Sequence, residues 1–283
     1  MDRQMRAAKL DEAFEFISQN PRPTPSYQVG TRIWDLKLRD KRQMRRAVRR
    51  LLCRDSRFQE VNAGLWETLN HDYGIQDLDE AEFRVLDLEV TGSDPERNAI
   101  IDLAVFGVRG RKVRPLLSTL LDPGLPIPAS IQRLTGIEEH MVDGAPALEE
   151  ILPRLLEVLR GAIFVAHNAA FDYHFLKTSI ERIPGQRFTA PHVCTVKLSQ
   201  RLVDPQRGSR KLHHLATQFG IPLENRHRAY DDAYATARIL VELKGLLHAR
   251  GVHTVGEMKL FESGLAAAIP SSPASRESRQ SDA

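Results

Sequence analysis

Cysteine is scarce in this chain. Cys53 and Cys194 are its only two in 283 residues, and neither belongs to a CxxC or Cys/His cluster. That argues against a disulfide framework or a structural zinc and fits a reducing compartment, the cytoplasm. Both thiols read as ordinary buried side chains. Long apolar runs are missing too. The opening MDRQMRAAKLDEAFEF holds no apolar stretch of signal-peptide length. No segment approaches the roughly 20 apolar residues of a membrane span, so no membrane partner is expected. From Pro270 to Ala283 there is no large apolar side chain, and Ser, Arg and Pro dominate. That tail is expected to be disordered. No internal repeat is found.

What is present is enough apolar material, 42% of residues, for a genuine core in one large or two ordinary domains. The net charge of +3 conceals an uneven distribution. Between Arg32 and Arg57 stand eleven Lys/Arg against three Asp, a local +8, which leaves −5 for the rest of the chain. This basic segment falls in a first region, residues 1–75, that reads as a small helical domain closed by a hairpin. A first helix is expected near Arg6–Gln19, stopped by Asn20-Pro21, and PRPTPS reads as a loop. Ser26 is placed to cap a second helix running through Val29, Ile33 and Leu36. Asp40 precedes a third, in which Met44, Ala47, Val48, Leu51 and Leu52 form one apolar stripe. Arg42, Arg45, Arg46 and Arg49 follow the same period on the opposite side. RFQEV and LWETL, joined by Asn62-Ala63-Gly64, read as a hairpin.

Helix, helix, basic helix, hairpin is the order of a winged helix, and RDSRFQEVNAGLWETL resembles the closing strand pair of HARE-type winged-helix modules. The arginine face then reads as a phosphate-backbone contact. The competing reading is a solvated helix face in a protein-docking module.

Residues 76–82, QDLDEAE, read as an acidic linker. An α/β pattern follows over 83–250, and 251–283 form a C-terminal extension. Strands are expected at Phe83–Leu88, Ile100–Val108 and Val113–Leu120, and at the fully apolar Ala162–Ala166. Helices are expected from Pro128 to Leu134, at Leu148–Leu159 and near Phe171–Arg182, Thr195–Val203, Lys211–Phe219 and Asp231–His248. One more is expected over 254–262, where Thr254 and Glu257 have capping-box spacing. Three leading strands in hairpin order and then strand–helix alternation fit a mixed, RNase H-like five-stranded sheet flanked by helices.

Four acids and one histidine stand out against this frame: Asp87-x-Glu89, Asp172 and His227-x-x-x-x-Asp232. Alternation puts Asp87 and Glu89 on one face of an apolar strand, where two carboxylates are costly without compensation. Asp172 falls in the first turn of a helix, where the helix dipole favours negative charge. Asp232 shares the inward helix face with Ala235, Thr236 and Ile239, whereas Asp231 reads as a water-exposed helix-start acid. Each acid alone has an ordinary structural reading as a cap or an ion-pair partner. Converging, they make sense chiefly around divalent metal ions, with His227 as a group that moves a proton near neutral pH.

Together LDLEVTG, VAHNAAFD and HRAYDDA resemble the motifs of the DnaQ-like (DEDDh) exonucleases, the family of polymerase proofreading subunits and free-standing 3′-end trimming enzymes. IQRLTGIEEHMV, VCTVKLSQRLV and LHHLATQFGI support the likeness, which covers about residues 83–247. The resemblance implies that Asp87, Glu89, Asp172 and Asp232 hold two Mg²⁺ or Mn²⁺ ions and that His227 is the general base. It implies a 3′→5′ hydrolysis of DNA, from single-stranded or frayed 3′ ends, in repair or replication proofreading. Leu88, Val90, His167, Asn168 and Phe171 complete the candidate substrate-side set. Within it His167 and Asn168 read as positioning groups beneath the site, and core packing is an equal reading for Leu88 and Phe171. One departure is visible: Val90 stands where the family commonly has Thr after the Glu. A polymerase or repair complex is the expected protein partner. RNA 3′-end trimming and a role as an adaptor with an exonuclease fold remain the alternatives.

Overall fold

The computed structural model describes residues 3–18, 23–53, 55, 58–68, 75–186, 188, 190–203 and 208–264. The tail expected to be disordered from about residue 270 lies outside the described residues. The chain divides into two compact units, Met1–Gln76 and Asp77–Ala283. No helix among the described residues is long and apolar enough to cross a membrane.

In the first unit the elements are α1 (Arg3–Ser18), β1 (Thr24–Pro25), α2 (Ser26–Trp34), α3 (Lys41–Leu52), β2 (Phe58–Asn62) and β3 (Leu65–Thr68). Its strands form an antiparallel sheet in the order β1-β3-β2. Asp40 caps α3 by accepting the Gln43 N–H at 2.7 Å, which satisfies one orphan donor of the first turn. Met44, Val48 and Leu52 of α3 are buried with Leu10, Ala13, Val29, Ile33 and Trp66 in one cluster. Gly30 allows the close approach of α2 to α3, because a Cβ there would lie 2.5 Å from Met44 Sδ.

Two expectations fail in this unit. Ser26 does not cap α2; Pro25 holds that position. Ser26 Oγ donates instead to the Gly64 carbonyl at 3.0 Å and accepts from the Trp66 indole at 2.9 Å. A buried indole N–H demands an acceptor, and that demand outweighs the cap. Cys53, expected buried with Cys194, is exposed where α3 ends, while Cys194 is buried.

The second unit is built on β4 (Phe83–Val90), β5 (Ile100–Arg109), β6 (Lys112–Leu120), β7 (Ile163–Ala166) and β8 (His192–Cys194). They form one sheet in the order β6-β5-β4-β7-β8. β4 runs antiparallel to β5 and parallel to β7, and β7 parallel to β8. The helices are α4 (Ala129–Thr135), α5 (Glu139–Val142), α6 (Leu148–Leu159), α7 (Ala169–Glu181), α8 (Thr195–Leu202), α9 (Leu212–Gln218), α10 (Ala229–His248) and α11 (Val255–Ser263).

Alternation in β4 serves two layers. Leu86 and Leu88 enter a large core with Leu103, Leu155, Phe164 and Phe175, each such side chain contributing about 1.5–3 kcal/mol on burial. The opposite face, with Phe83 and Val85, lies toward α10, whose buried Lys244 stands over the Phe83 ring at 5.6 Å. Lys244 is held by Asp79 at 2.8 Å and by the Gly110 carbonyl at 3.0 Å, so its charge is paired despite burial.

The stretch that reads as a linker, 76–82, is packed from residue 77 onward. Leu78 and Ala81 are fully buried, and the Leu78 N–H donates to the His253 carbonyl at 2.8 Å. α11 opens with Thr254 and Glu257 in the reciprocal capping box expected for them.

Candidate active site

The parallel pair β4/β7 carries its C-terminal ends to the same edge of the sheet, the place where open α/β sheets present ligands. Asp87 and Glu89 stand near the end of β4, opposite Ala104 and Asp102 of β5. Immediately after Glu89 the register with β5 shifts, so that Val90 pairs with Ile100. Such a bulge re-aims the side chains beside it. The following turn is held by the Thr91 hydroxyl, which accepts the Ala99 N–H at 3.0 Å. Gly92 permits it, since a Cβ there would come within 2.5 Å of Asn98 Oδ1.

Asp172 lies in the first turn of α7, only 5% exposed. Asp232 lies in the first turn of α10, 8% exposed; its Oδ2 accepts the His227 N–H at 3.2 Å. Asp232 Oδ1 is buried with no hydrogen-bond partner among the described residues. His227 has the left-handed backbone value φ = 60°, a conformation that costs a non-glycine residue about 1–2 kcal/mol. Ligand-capable atoms of Glu89, His227 and Asp232 all fall within 4.8 Å of one another. Asp231, the neighbour read as solvent-facing, is half-buried.

These carboxylates act on one another. Burial pushes the Asp87 carboxyl well above the usual range, and repulsion from Asp172, Asp232, Glu89 and Asp102 pushes it further. Burial, then Asp232, Asp102 and Asp172, raise Glu89 to about 8, against the pull of Arg228. Burial raises Asp172 to about 7, although its own N–H and that of Leu88 favour the charged form. Burial also raises Asp232, against the His227 N–H. Two like charges 4 Å apart repel by about 4 kcal/mol at an effective dielectric of 20. A divalent cation reverses the sign of that balance, and all-oxygen ligands with an orphaned carboxylate oxygen suit a hard cation. The acidic groups of this cluster therefore suit a hard divalent cation on chemical grounds, with Glu89 and Asp232 the carboxylates of the ligand-capable group.

The substrate-side candidates separate. Leu88 is buried in the large core, so packing accounts for it. Val90 and Phe171 are half-buried at the edge of that core, the Phe171 ring 5.8 Å from that of Phe175. His167 is fully engaged by the protein. Its Nε2 lies 2.8 Å from the Arg210 carbonyl, which can only accept, so Nε2 carries the hydrogen. Nδ1 then accepts from the Thr195 hydroxyl at 2.9 Å. Burial holds this imidazole at a pKa of about 4, hence neutral. His167 thus ties β7, α8 and the 210 loop together and offers a substrate no free nitrogen. Asn168, with φ = 84°, turns the chain from β7 into α7.

Two groups beside the acids were not singled out from the sequence. Asp102, 3% exposed, accepts from Arg228 Nε at 3.0 Å and from the Ala229 N–H at 3.3 Å. The signal was an aspartate inside the otherwise apolar IIDLAVFGV, because a charge in a buried strand requires a partner.

In the first unit Arg42, Arg45, Arg46 and Arg49 line one cavity of about 280 Å³. Glu60 of the hairpin accepts from Arg45 Nε at 2.8 Å, and Arg49 Nε lies 3.5 Å from its other oxygen.

The exonuclease family model (RNase_T) matches residues 85–240, more than half of the chain and the whole stretch from Asp87 to Asp232. The chain belongs to this exonuclease family. The DNA polymerase III epsilon subunit of Aquifex aeolicus is 37% identical over 183 residues, covering 64% of this chain and 90% of that protein. The PolC-type DNA polymerase III of Caldanaerobacter subterraneus subsp. tengcongensis is 37% identical over 179 residues, 63% of this chain but 13% of that protein. The chain thus spans most of the epsilon subunit and a small part of the PolC-type relatives it matches. Among solved structures, exonuclease X in complex with 5′-overhanging duplex DNA aligns with a TM-score of 0.51 and 25% identity, over 64% of this chain and 99% of that one. E. coli exonuclease I bound to an oligonucleotide aligns with a TM-score of 0.55 and 16% identity, over 64% and 43% respectively, a likeness of fold. The exonuclease domain of this chain accordingly has the mixed five-stranded sheet and flanking helices expected for it.

Proposed function

We propose that this chain is a metal-dependent 3′→5′ exonuclease that hydrolyses DNA from the 3′ end and releases nucleoside 5′-monophosphates. One observation carries the reading: four carboxylates from β4, α7 and α10 repel one another in one site, and the pull of Arg228 leaves Glu89 still raised. Asp87, Glu89, Asp172 and Asp232 would hold two Mg²⁺ or Mn²⁺ ions, which supply positive charge at the scissile phosphate and acidify water. His227 is the general base. A ring nitrogen lies within 4.8 Å of carboxylate oxygens of Glu89 and Asp232, a spacing at which one water could bridge them. Asp232 orients that base through the His227 N–H. Phe171 and Val90, half-buried at the rim, would pack against the terminal nucleotide.

The first unit would hold the substrate. Its order of helix, strand, helix, helix and two strands supports the winged-helix reading, with the arginine face of α3 set on the phosphate backbone. A polymerase or repair complex is the proposed protein partner, and the polymerase names of the relatives support it.

The test is digestion of end-labelled single-stranded, paired and mismatched DNA and matched RNA, with Mn²⁺ or Mg²⁺ and with chelator. Mononucleotide release from DNA 3′ ends, abolished by chelator, is expected. Release from RNA alone, or release that survives the chelator, would overturn the reading.

A further inference from the structure

His227 sits in an awkward place for a group that must be held accurately. It lies in the loop before α10 with a left-handed backbone, and Arg228, the N-cap residue that follows, makes no side-chain cap of its own. An uncapped helix start leaves orphan N–H groups and a loose first turn. Here the cap comes from another strand. Asp102 Oδ2 of β5 accepts the Ala229 N–H at 3.3 Å and Arg228 Nε at 3.0 Å. Asp102 is 3% exposed and stands opposite Glu89 in the sheet. A rigid strand that adjoins one acid of the cluster is therefore bonded directly to the two residues after His227.

We infer that Asp102 and Arg228 form a positioning clamp that caps α10 in trans and fixes His227 against the Glu89–Asp232 side of the site. Neither touches the reacting atoms; the clamp acts through the histidine, beside the direct charge relief that Arg228 gives Glu89. The inference rests on His227 being the base of the proposed exonuclease. Displacing a catalytic group by about 1 Å costs on the order of 100-fold. The strained φ of His227 supplies the tendency to relax once the clamp opens.

A double-mutant cycle in the full chain tests this. Arg228→Ala is expected to lower single-turnover release about 10- to 100-fold, with KM within about twofold, and Arg228→Lys to recover part of the loss. In a His227→Ala background the same Arg228→Ala change is expected to cost several-fold less, the remainder being the lost charge relief at Glu89, since groups acting as one unit are non-additive. Equal cost in both backgrounds would overturn the clamp. Asp102→Ala should follow the same pattern. A readout independent of activity accompanies the cycle: amide hydrogen exchange over residues 226–233 should quicken in Arg228→Ala and Asp102→Ala. Unchanged exchange there would equally refute the inference. A wild-type chain with no nuclease activity would instead defeat the functional reading and leave the exchange comparison to judge the clamp.

Discussion

Each unit of this chain gathers charge of one sign, and the two do so in opposite surroundings. At the end of β4, Asp87, Glu89, Asp102, Asp172 and Asp232 are crowded together with burial, so mutual repulsion and lost hydration add, and the acids are driven toward holding their protons. On α3, Arg42, Arg46 and Arg49 are exposed and Arg45 half-buried, with Glu60 beside them. There water and salt screen the repulsion over a Debye length of about 10 Å. Like charge on a surface is a field for attracting a polyanion. Like charge in a buried cleft needs a partner of opposite sign held at atomic distance. On the proposed reading the first unit would hold nucleic acid broadly and the second would act on one bond.

The comparison predicts that substitutions in the two regions fail in different ways. The largest effect is expected for Asp87→Ala combined with Glu89→Ala, which should lower nucleotide release more than about 1000-fold, beyond the loss of a single electrostatic donor. It should leave DNA affinity in filter binding within a few-fold. Metal-free thermal stability should rise, because two repelling carboxylates are gone; a fall would contradict the repulsion. His227→Ala should cost about 100- to 10,000-fold, the share of a general base, with divalent-ion binding kept. Turnover unchanged at neutral pH would remove the histidine from its role.

The acids also predict a pH signature for the metal-free protein. Glu89 at about 8 and Asp172 at about 7 lie above their ordinary values of 4.5 and 3.8. The folded state therefore binds more protons than the unfolded one between about pH 4 and 8, and stability falls as pH rises through that window. Saturating Mn²⁺ should reverse the trend, giving about 2.7 kcal/mol at a hundredfold excess over Kd, or roughly 5–10 °C in Tm. The gain should be larger at pH 8 than at pH 5, and a metal response equal at both would break the account. The smallest effect on chemistry belongs to the arginine face. Arg42→Glu with Arg46→Glu should raise KM for long single strands and lower the salt slope of binding by about 1.5. Hydrolysis of a dinucleotide should be unchanged. A loss there would mean that the first unit contributes to bond cleavage.

Much of this was legible in the sequence, for identifiable reasons. The helix at Leu148–Leu159 was bounded correctly because its apolar stripe is strong, and β7 was evident because all four of its residues are buried and apolar. β1, β8 and α5 were not seen: two to four residues leave no period to read. The first two exist through pairing with partners distant in the chain, Trp66 for Thr24 and Phe164 for His192. Residues 77–82 look like a linker by composition, yet they are fixed by Lys244 and His253, more than 160 residues away. In the site, the acids could be read from local motifs, whereas the pairing of Asp102 with Arg228 could not. It spans 126 positions and depends on the β4/β5 register.

The most direct measurement is a calorimetric titration of Mn²⁺ into the metal-free chain, repeated on the folded Asp87→Ala/Glu89→Ala protein. The account predicts two ions per wild-type chain with protons released on binding, and loss of that binding in the substituted protein. A wild-type chain that binds no Mn²⁺, or a substituted one that binds it equally well, would contradict the claim that these carboxylates are gathered around cations.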